Sequence, residues 1–371
     1  MGDLKGKSRL TVKSPFLAIG VFVLVALLVA LVGTQVRAHL GGNSNVVHLC
    51  INNSSGAIEA IGASESCKNN WSPLDIQSLP PPVTANGAAI DAMVHPMSPE
   101  LAEKLTDDPG LASGAGDVLA RLDEANVQKA VMQALGFFRA IVTDDDGVRV
   151  ENNFVAAESA TSDRLIGFCG INPLFAGAPA EINRCFGELG MEGIKLNPPF
   201  SRMDLKDPAH AAALSAVFDK AQEFDAPVQL HMRSPRDPAL KREAFENLAE
   251  IINNHPDVRV SHSHCGGVID EHVSDQWLGR LRPNPDTAFL DLSICLNHFE
   301  DAPFSKRELI VWRLRKWGIE RLLWSSDYVR INPAQQTPLE ALETLEKYPF
   351  TQAEIDTLLS GGAASLWLEG P

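Results

Sequence analysis

The sequence predicts an α/β protein whose main body is a (β/α)8 TIM barrel, and three observations predict it. Eight short apolar runs alternate with helical or irregular segments from Ile90 onward. Residues 87–371 hold all eight units, a length that suits one such barrel. No glycine-rich phosphate loop follows the first run, which disfavours a doubly wound open sheet, the runner-up.

Smaller pieces precede the barrel. At 371 residues and 45% hydrophobic content, the chain has room for one large domain plus additions. Lys5, Lys7, Arg9 and Lys13 precede an apolar run from Phe16 to Gly33, and Val36-Arg37-Ala38 offers small residues for cleavage. Residues 1–38 therefore read as a signal peptide or membrane anchor. The run is long for a cleaved signal and close to a bilayer span, so cleavage and membrane anchorage through residues 16–33 both stay open. In either case the basic flank stays inside, and the rest is expected to be exported: extracytoplasmic, secreted or membrane-anchored.

Residues 39–78 read as a small exported module. Val46 to Ile51 and Ala57 to Ile61 form an expected hairpin across Asn52-Asn53-Ser54-Ser55-Gly56. In an oxidising compartment, Cys50 and Cys67 are expected to pair, a loop closure worth about 3 kcal/mol in the loop-entropy model. This stretch resembles a short two-cysteine module of bacterial exported and surface proteins, which says nothing of activity. Cys169, Cys185, Cys265 and Cys295 read as buried core thiols. Leu79-Pro80-Pro81-Pro82 opens a stiff linker over residues 79–86.

The barrel's expected strands are Ile90–His95, Lys129–Ala134, Arg164–Gly170, Glu192–Leu196, Ala226–His231, Val258–His264, Ala288–Cys295 and Arg321–Ser326. Apolar residues at helical spacing predict helices over Asp117–Ala125, Ala209–Phe224, Leu240–Asn254, Glu271–Leu281 and Arg307–Trp317. The net charge of −15 speaks against a nucleic-acid partner, since phosphates call for a basic face. A small-molecule substrate is expected instead, and a homo-oligomer stays open.

Active sites of such barrels lie at the C-terminal ends of the strands. The first strand ends in His95, the fifth in His231, the sixth in His264, and Asp327 follows the eighth. Imidazole and carboxylate together suit a hydrolytic divalent metal, zinc first, with manganese or iron as alternatives. Lys195 and Asn197 close the fourth strand and Arg233 follows the fifth; these are candidate substrate-binding residues. Lys195 reads first as an interior lysine paired with a carboxylate, and Arg233 equally as a surface ion pair. His262 is expected to share the inward face of His264. Asp91 lies deeper than His95. His210, His255, His272 and His298 are expected at the surface.

The runs I-D-A-M-V-H, G-F-C-G-I-N-P, G-I-K-L-N-P-P, A-P-V-Q-L-H, S-H-C-G-G and L-L-W-S-S-D-Y follow one another through residues 88–330. In that order they resemble the amidohydrolase superfamily, in the branch of aminocarboxymuconate-semialdehyde decarboxylase and related metal-dependent TIM-barrel hydrolases. The resemblance implies His95, His231 and Asp327 as metal ligands, and His264 and Asp327 as catalytic residues. It departs at Met93, which stands where the family has a His or Glu ligand. A thioether suits a hydrolytic zinc or manganese site poorly, so Met93 is expected to pack inside the barrel. The implied activity is hydrolysis of an ester, lactone or amide. Asp327 would take the proton of a metal-activated water, and His264 would steady the oxyanion. The alternatives are non-oxidative decarboxylation at the same site and a degenerate, non-catalytic barrel.

Overall fold

The computed structural model describes residues 46–52, 58–60, 66–77, 83–85, 87–106, 112–231, 238–267, 284–328 and 335–370. The apolar run at 16–33, Arg233 and the helix expected over 271–281 lie outside these residues. Among the described residues, no helix is long and apolar enough to cross a membrane. The chain divides into two compact units, and the division falls between Pro81 and Pro82.

The first unit is a three-stranded antiparallel sheet. Its strands are β1 (Val46–Asn52), β2 (Ile58–Ala60) and β3 (Trp71–Gln77), in the order β2-β1-β3. The β1–β2 hairpin matches the sequence reading, whereas β3 does not appear in it. Pro73 argues against a central strand, but β3 is an edge, where the missing N–H can be tolerated. The expected Cys50–Cys67 disulfide is present, with a Cα separation of 5.6 Å.

The second unit is a parallel eight-stranded sheet. Its strands are β4 (Ile90–Val94), β5 (Lys129–Gln133), β6 (Leu165–Ile171), β7 (Gly193–Leu196), β8 (Val228–Leu230), β9 (Val260–His262), β10 (Ala288–Asp291) and β11 (Leu322–Leu323). They pair in chain order. The sheet curls until its first and last members meet: Ala92 N donates to Trp324 O at 3.1 Å, Asp327 N to Met93 O at 3.0 Å, and His95 N to Tyr328 O. Several strands are shorter than expected at their C-terminal ends. Ser263, Leu292 and Trp324 already lie outside the ladder.

The connecting helices are α1 (Pro99–Thr106), α2 (Ala115–Ala125), α3 (Asp145–Ser159), α4 (Ala178–Gly187), α5 (Pro208–Glu223), α6 (Pro238–Asn254), the single turn α7 (Cys295–His298), α8 (Phe304–Trp317), α9 (Pro338–Glu346), α10 (Gln352–Leu358) and α11 (Gly362–Glu369). Local chemistry starts many of them. Asp144 and Asp207 cap α3 and α5 through their side chains, and Thr337 and Thr351 form capping boxes with Glu340 and Glu354.

Two apolar layers hold the barrel. Outward-facing Leu196, Leu230, Val260 and Leu290 pack with helix residues such as Leu214, Phe218, Leu248 and Leu314. Val131, Ile166, Phe168, Phe289 and Leu323 form a separate cluster with Trp367 of α11, which plugs the floor of the lumen. A Cβ at Gly193 would come within 2.3 Å of the Phe168 ring, so the glycine makes room for that ring. Above the floor the lumen turns polar.

Two cysteine expectations are corrected. Cys169 joins Cys185, linking β6 to α4, and Cys265 joins Cys295, linking the end of β9 to α7. Their Cα separations are 6.2 and 5.8 Å, within bridging range. The expectation for Cys265 assumed strand geometry, but it stands in a left-handed turn. His255 is likewise buried rather than at the surface, with Nε2 3.0 Å from Asp219 Oδ1.

Candidate active site

The polar part of the lumen begins at Lys195 on β7. Its side chain is only 1% exposed. Among the described residues no carboxylate lies within 4.0 Å of Nζ, so the expected ion pair is not formed. Nζ instead donates to Met93 Sδ at 3.2 Å and to Ser263 Oγ at 3.4 Å. Gln229 also donates to Ser263 Oγ, at 2.9 Å. Burial pulls the Lys195 pKa down to about 8, against the more distant pull of Asp327 and Asp291. Met93 is thus an interior packing residue, as expected, but also the acceptor for a buried ammonium.

His95 and Asp327 face each other across the seam of the barrel. His95 Nδ1 lies 3.2 Å from Gln133 O. A carbonyl only accepts, so Nδ1 carries the proton and Nε2 of neutral His95 is a bare lone pair. That Nε2 lies 3.2 Å from Asp327 Oδ1. Asp327 has a left-handed backbone, φ 59°, which turns its carboxylate into the site. Burial alone would raise its pKa. A hydrogen bond from His95, when that ring carries its second proton, and the positive charge of Lys195 outweigh that and hold it below the usual carboxylate range. Asp91 lies beneath, taken up by Ser326: Ser326 Oγ donates to it at 2.5 Å and Ser326 N at 3.0 Å. Burial raises the Asp91 pKa to about 7.

His231 and His264 form the opposite side, with ring centroids 4.6 Å apart and edge to face. Phe200 flanks His231 at 6.1 Å. His264 Nδ1 lies 3.1 Å from Ser293 O and 3.0 Å from Ser293 Oγ. The Ser293 hydroxyl gives its own proton to Asp291 Oδ1 at 2.5 Å. Nδ1 of His264 must therefore be the donor, and Nε2 is open as a base. Burial lowers the His264 pKa, so the ring is held neutral. A neutral ring in this tautomer accepts at Nε2.

The donors at the seam are of the types that hold a divalent metal. Nitrogen from His95 and His231 with oxygen from Asp327 is a suitable three-ligand set for zinc. Two bare acceptors 3.2 Å apart, His95 Nε2 and Asp327 Oδ1, call for a cation between them. Ligands at about 2.0–2.1 Å on a tetrahedral ion are about 3.3–3.4 Å from each other, which this pair matches. The backbone-held Nδ1 of His95 is the usual second support of a ligating imidazole. His231 stands farther off: the three ligand atoms do not all fall within 4.8 Å of one another. Among the described residues, Cys169, Glu181 and Cys185 also cluster closely, but the two sulfurs are spent in a disulfide.

Asn197 is buried, and its Oδ1 accepts from Phe200 N at 3.2 Å, so it holds the loop that carries Phe200. His262 faces outward, its ring 6.4 Å from Trp317 of α8. The left-handed turn at His264 breaks the alternation that was to place both on one face. Sequence reasoning missed Gln133, Asp291 and Ser293. Asp291 closes a strand end, the same signal that singled out His95 and His231.

Comparison with known proteins supplies a family. The sequence model described as amidohydrolase matches residues 90–368. Among curated proteins, none matches the sequence. The fold resembles an amidohydrolase II crystal structure, with 14% identity, a TM-score of 0.56, and coverage of 76% of this chain and 100% of that one. It resembles IDCase of Metarhizium anisopliae at 15% identity and TM-score 0.51, covering 76% and 97%. An uncharacterised TIM-barrel protein from Bordetella bronchiseptica follows at 16% identity and TM-score 0.50, covering 75% and 97%.

Proposed function

Because the chain belongs to the amidohydrolase family, we propose that it is an exported, metal-dependent hydrolase of an ester, lactone or amide bond. The observation that carries this reading is the pair His95 Nε2 and Asp327 Oδ1, two acceptors 3.2 Å apart in a buried lumen. His95, His231 and Asp327 would hold the metal, with zinc favoured by the donor set. A bound divalent ion supplies an acidified water and a polarised carbonyl.

The chain's own groups do the rest. Asp327, kept ionised, accepts the proton of the attacking water at a carboxylate oxygen. His264 presents an open Nε2, takes up a proton there and returns it to the leaving group. Asp291 and Ser293 keep Nδ1 protonated, so the proton can travel only through Nε2. Phe200 flanks His231 at the mouth and shields the reacting bond from water. Lys195, with its charge close to Asp327, keeps that carboxylate ionised. Arg233 and Asn197 complete the reading, Arg233 as a clamp on an anionic substrate group and Asn197 as the holder of the Phe200 loop.

Three disulfides account for all six cysteines, which supports an oxidising, extracytoplasmic location. The test is direct. The chain is expressed with zinc, manganese and iron supplied, its bound metal is measured, and p-nitrophenyl esters, lactones and anilides are offered. About one metal per chain and metal-dependent hydrolysis are expected. Metal-free protein after that treatment would sink the proposal, and CO2 release from unsaturated or aromatic acids would move it to decarboxylation.

A further inference from the structure

His264 stands in an unusual backbone. His264, Cys265 and Gly266 all have left-handed conformations, with φ of 56°, 53° and 76°. Ile294, in the facing loop, is also left-handed at φ 56°. Such angles are unfavourable for residues with a β-carbon, and most of all for a β-branched one. They persist only where the surroundings over-determine them.

The surroundings here are specific. His264 N donates to Asp291 Oδ1 at 3.0 Å, and Ser293 Oγ donates to the same oxygen at 2.5 Å. The Cys265–Cys295 disulfide then joins the two left-handed segments covalently. One of its sulfurs belongs to the residue after His264. The other belongs to the residue after Ile294, two beyond Ser293, the hydrogen-bond acceptor of His264. Both cysteines are buried, 5% and 3% exposed. The bond therefore spans the one contact that fixes the His264 tautomer.

We propose that the Cys265–Cys295 disulfide, acting through Ser293, is a positioning element that holds His264 with Nδ1 protonated and Nε2 open. It rests on the reading of His264 as the proton carrier. Without the bond, the two turns are free to relax toward ordinary backbone angles. His264 then separates from Ser293, and its ring populates both tautomers. The Cys169–Cys185 disulfide joins other elements of the barrel, β6 and α4, and has no such effect.

The experiment uses the full chain in three forms: wild type, C265S/C295S, and C169S/C185S. Nitrogen-15 histidine NMR reads the His264 tautomer, and hydrogen exchange reads the peptides over 263–267 and 291–296. Wild type and C169S/C185S are expected to show one Nδ1–H tautomer, and C265S/C295S an averaged ring with faster exchange in both peptides. With p-nitrophenyl acetate as probe, kcat of C265S/C295S is expected to fall about tenfold to a hundredfold with KM little changed. If C265S/C295S does not fold, wild type is treated with a water-soluble phosphine. The phosphine is oxidised to its oxide with oxygen from water as the disulfide gains two electrons and two protons, and reoxidation should restore the single tautomer. An unchanged tautomer and unchanged exchange without the bond overturn the proposal, as does an equal change in C169S/C185S. His264→Gln separates the two readings. If that variant hydrolyses the ester normally, the proton-carrier role of His264 fails, whereas an inactive H264Q beside a fully active C265S/C295S removes only the positioning role.

Discussion

His95 Nε2 lies 3.2 Å from Asp327 Oδ1, and the proton that would ordinarily explain such a contact is committed on Nδ1 to Gln133 O. The pair is complete only with a cation, either a second proton on His95 or a metal ion. Asp327→Asn keeps the shape but removes the charge. It should abolish stoichiometric metal binding and lower hydrolysis by about 10²–10⁴-fold, the scale of a lost acid–base group. Elemental analysis alongside ester hydrolysis checks both, and a D327N protein that still holds one metal would remove Asp327 from the ligand set.

Lys195 places a positive charge in the same chamber as that cation. Lys195→Met removes it in favour of a side chain of similar length. Metal affinity should rise about tenfold, equivalent to about 1.4 kcal/mol. Thermal stability should hold or rise, because among the described residues the ammonium has only a thioether and a hydroxyl as partners. Competitive zinc titration and a melting curve decide; a weaker site would show that Lys195 supports metal binding.

Met93→His supplies the ligand type that the sequence resemblance implies at this position. Alone it should gain little, because the imidazole would meet the Lys195 ammonium where Met93 Sδ does now. Combined with K195M it should exceed the sum of the single changes. Zinc affinities of the two single variants and the double variant form the test, and strict additivity would show that the two positions do not interact.

Stability should depend on pH through Asp91 in a definite direction. Its pKa is about 7 in the folded chain, against 3.8 ordinarily, so between those values the folded chain holds a proton that the unfolded chain has released. Stability from this group is fullest below pH 3.8 and declines as pH rises toward 7. Asp91→Asn should flatten the melting temperature across that window. Lys195 acts at the other end. With a folded pKa of about 8 against 10.5, it makes stability rise between those values, a slope absent in K195M.

Cys169–Cys185 should behave as a plain staple. C169S/C185S should lose about 3 kcal/mol of stability, the scale of a closed loop of this length. Metal content and hydrolysis in that variant should match wild type. Loss of metal at unchanged folding would tie β6 and α4 to the site.

Much of this was legible in the sequence because barrel chemistry collects at strand ends. His95, His231, His264 and Asp327 each announced themselves as a polar residue closing an apolar run. Strand alternation failed where the backbone leaves the strand. The left-handed turn at His264 sent His262 outward and brought Cys265 to Cys295, and no periodicity argument anticipates such a turn. Asp291 and Ser293 were hidden because L-D-L-S-I-C reads as one continuous strand, whereas the ladder stops at Asp291. The pairing of Lys195 with Met93 joins residues from different strands and is visible only in three dimensions.

The barrel seam adds a consequence. His95 leaves the first strand of the ring and Asp327 follows the last, and the hydrogen bonds that join those strands run from Asp327 N to Met93 O and from His95 N to Tyr328 O. The two halves of the site thus come together only when the whole ring has been synthesised and closed. An ion held there would act as a clasp on that joint, so a chain cut short or misassembled before its last strand would be both unlatched and inert.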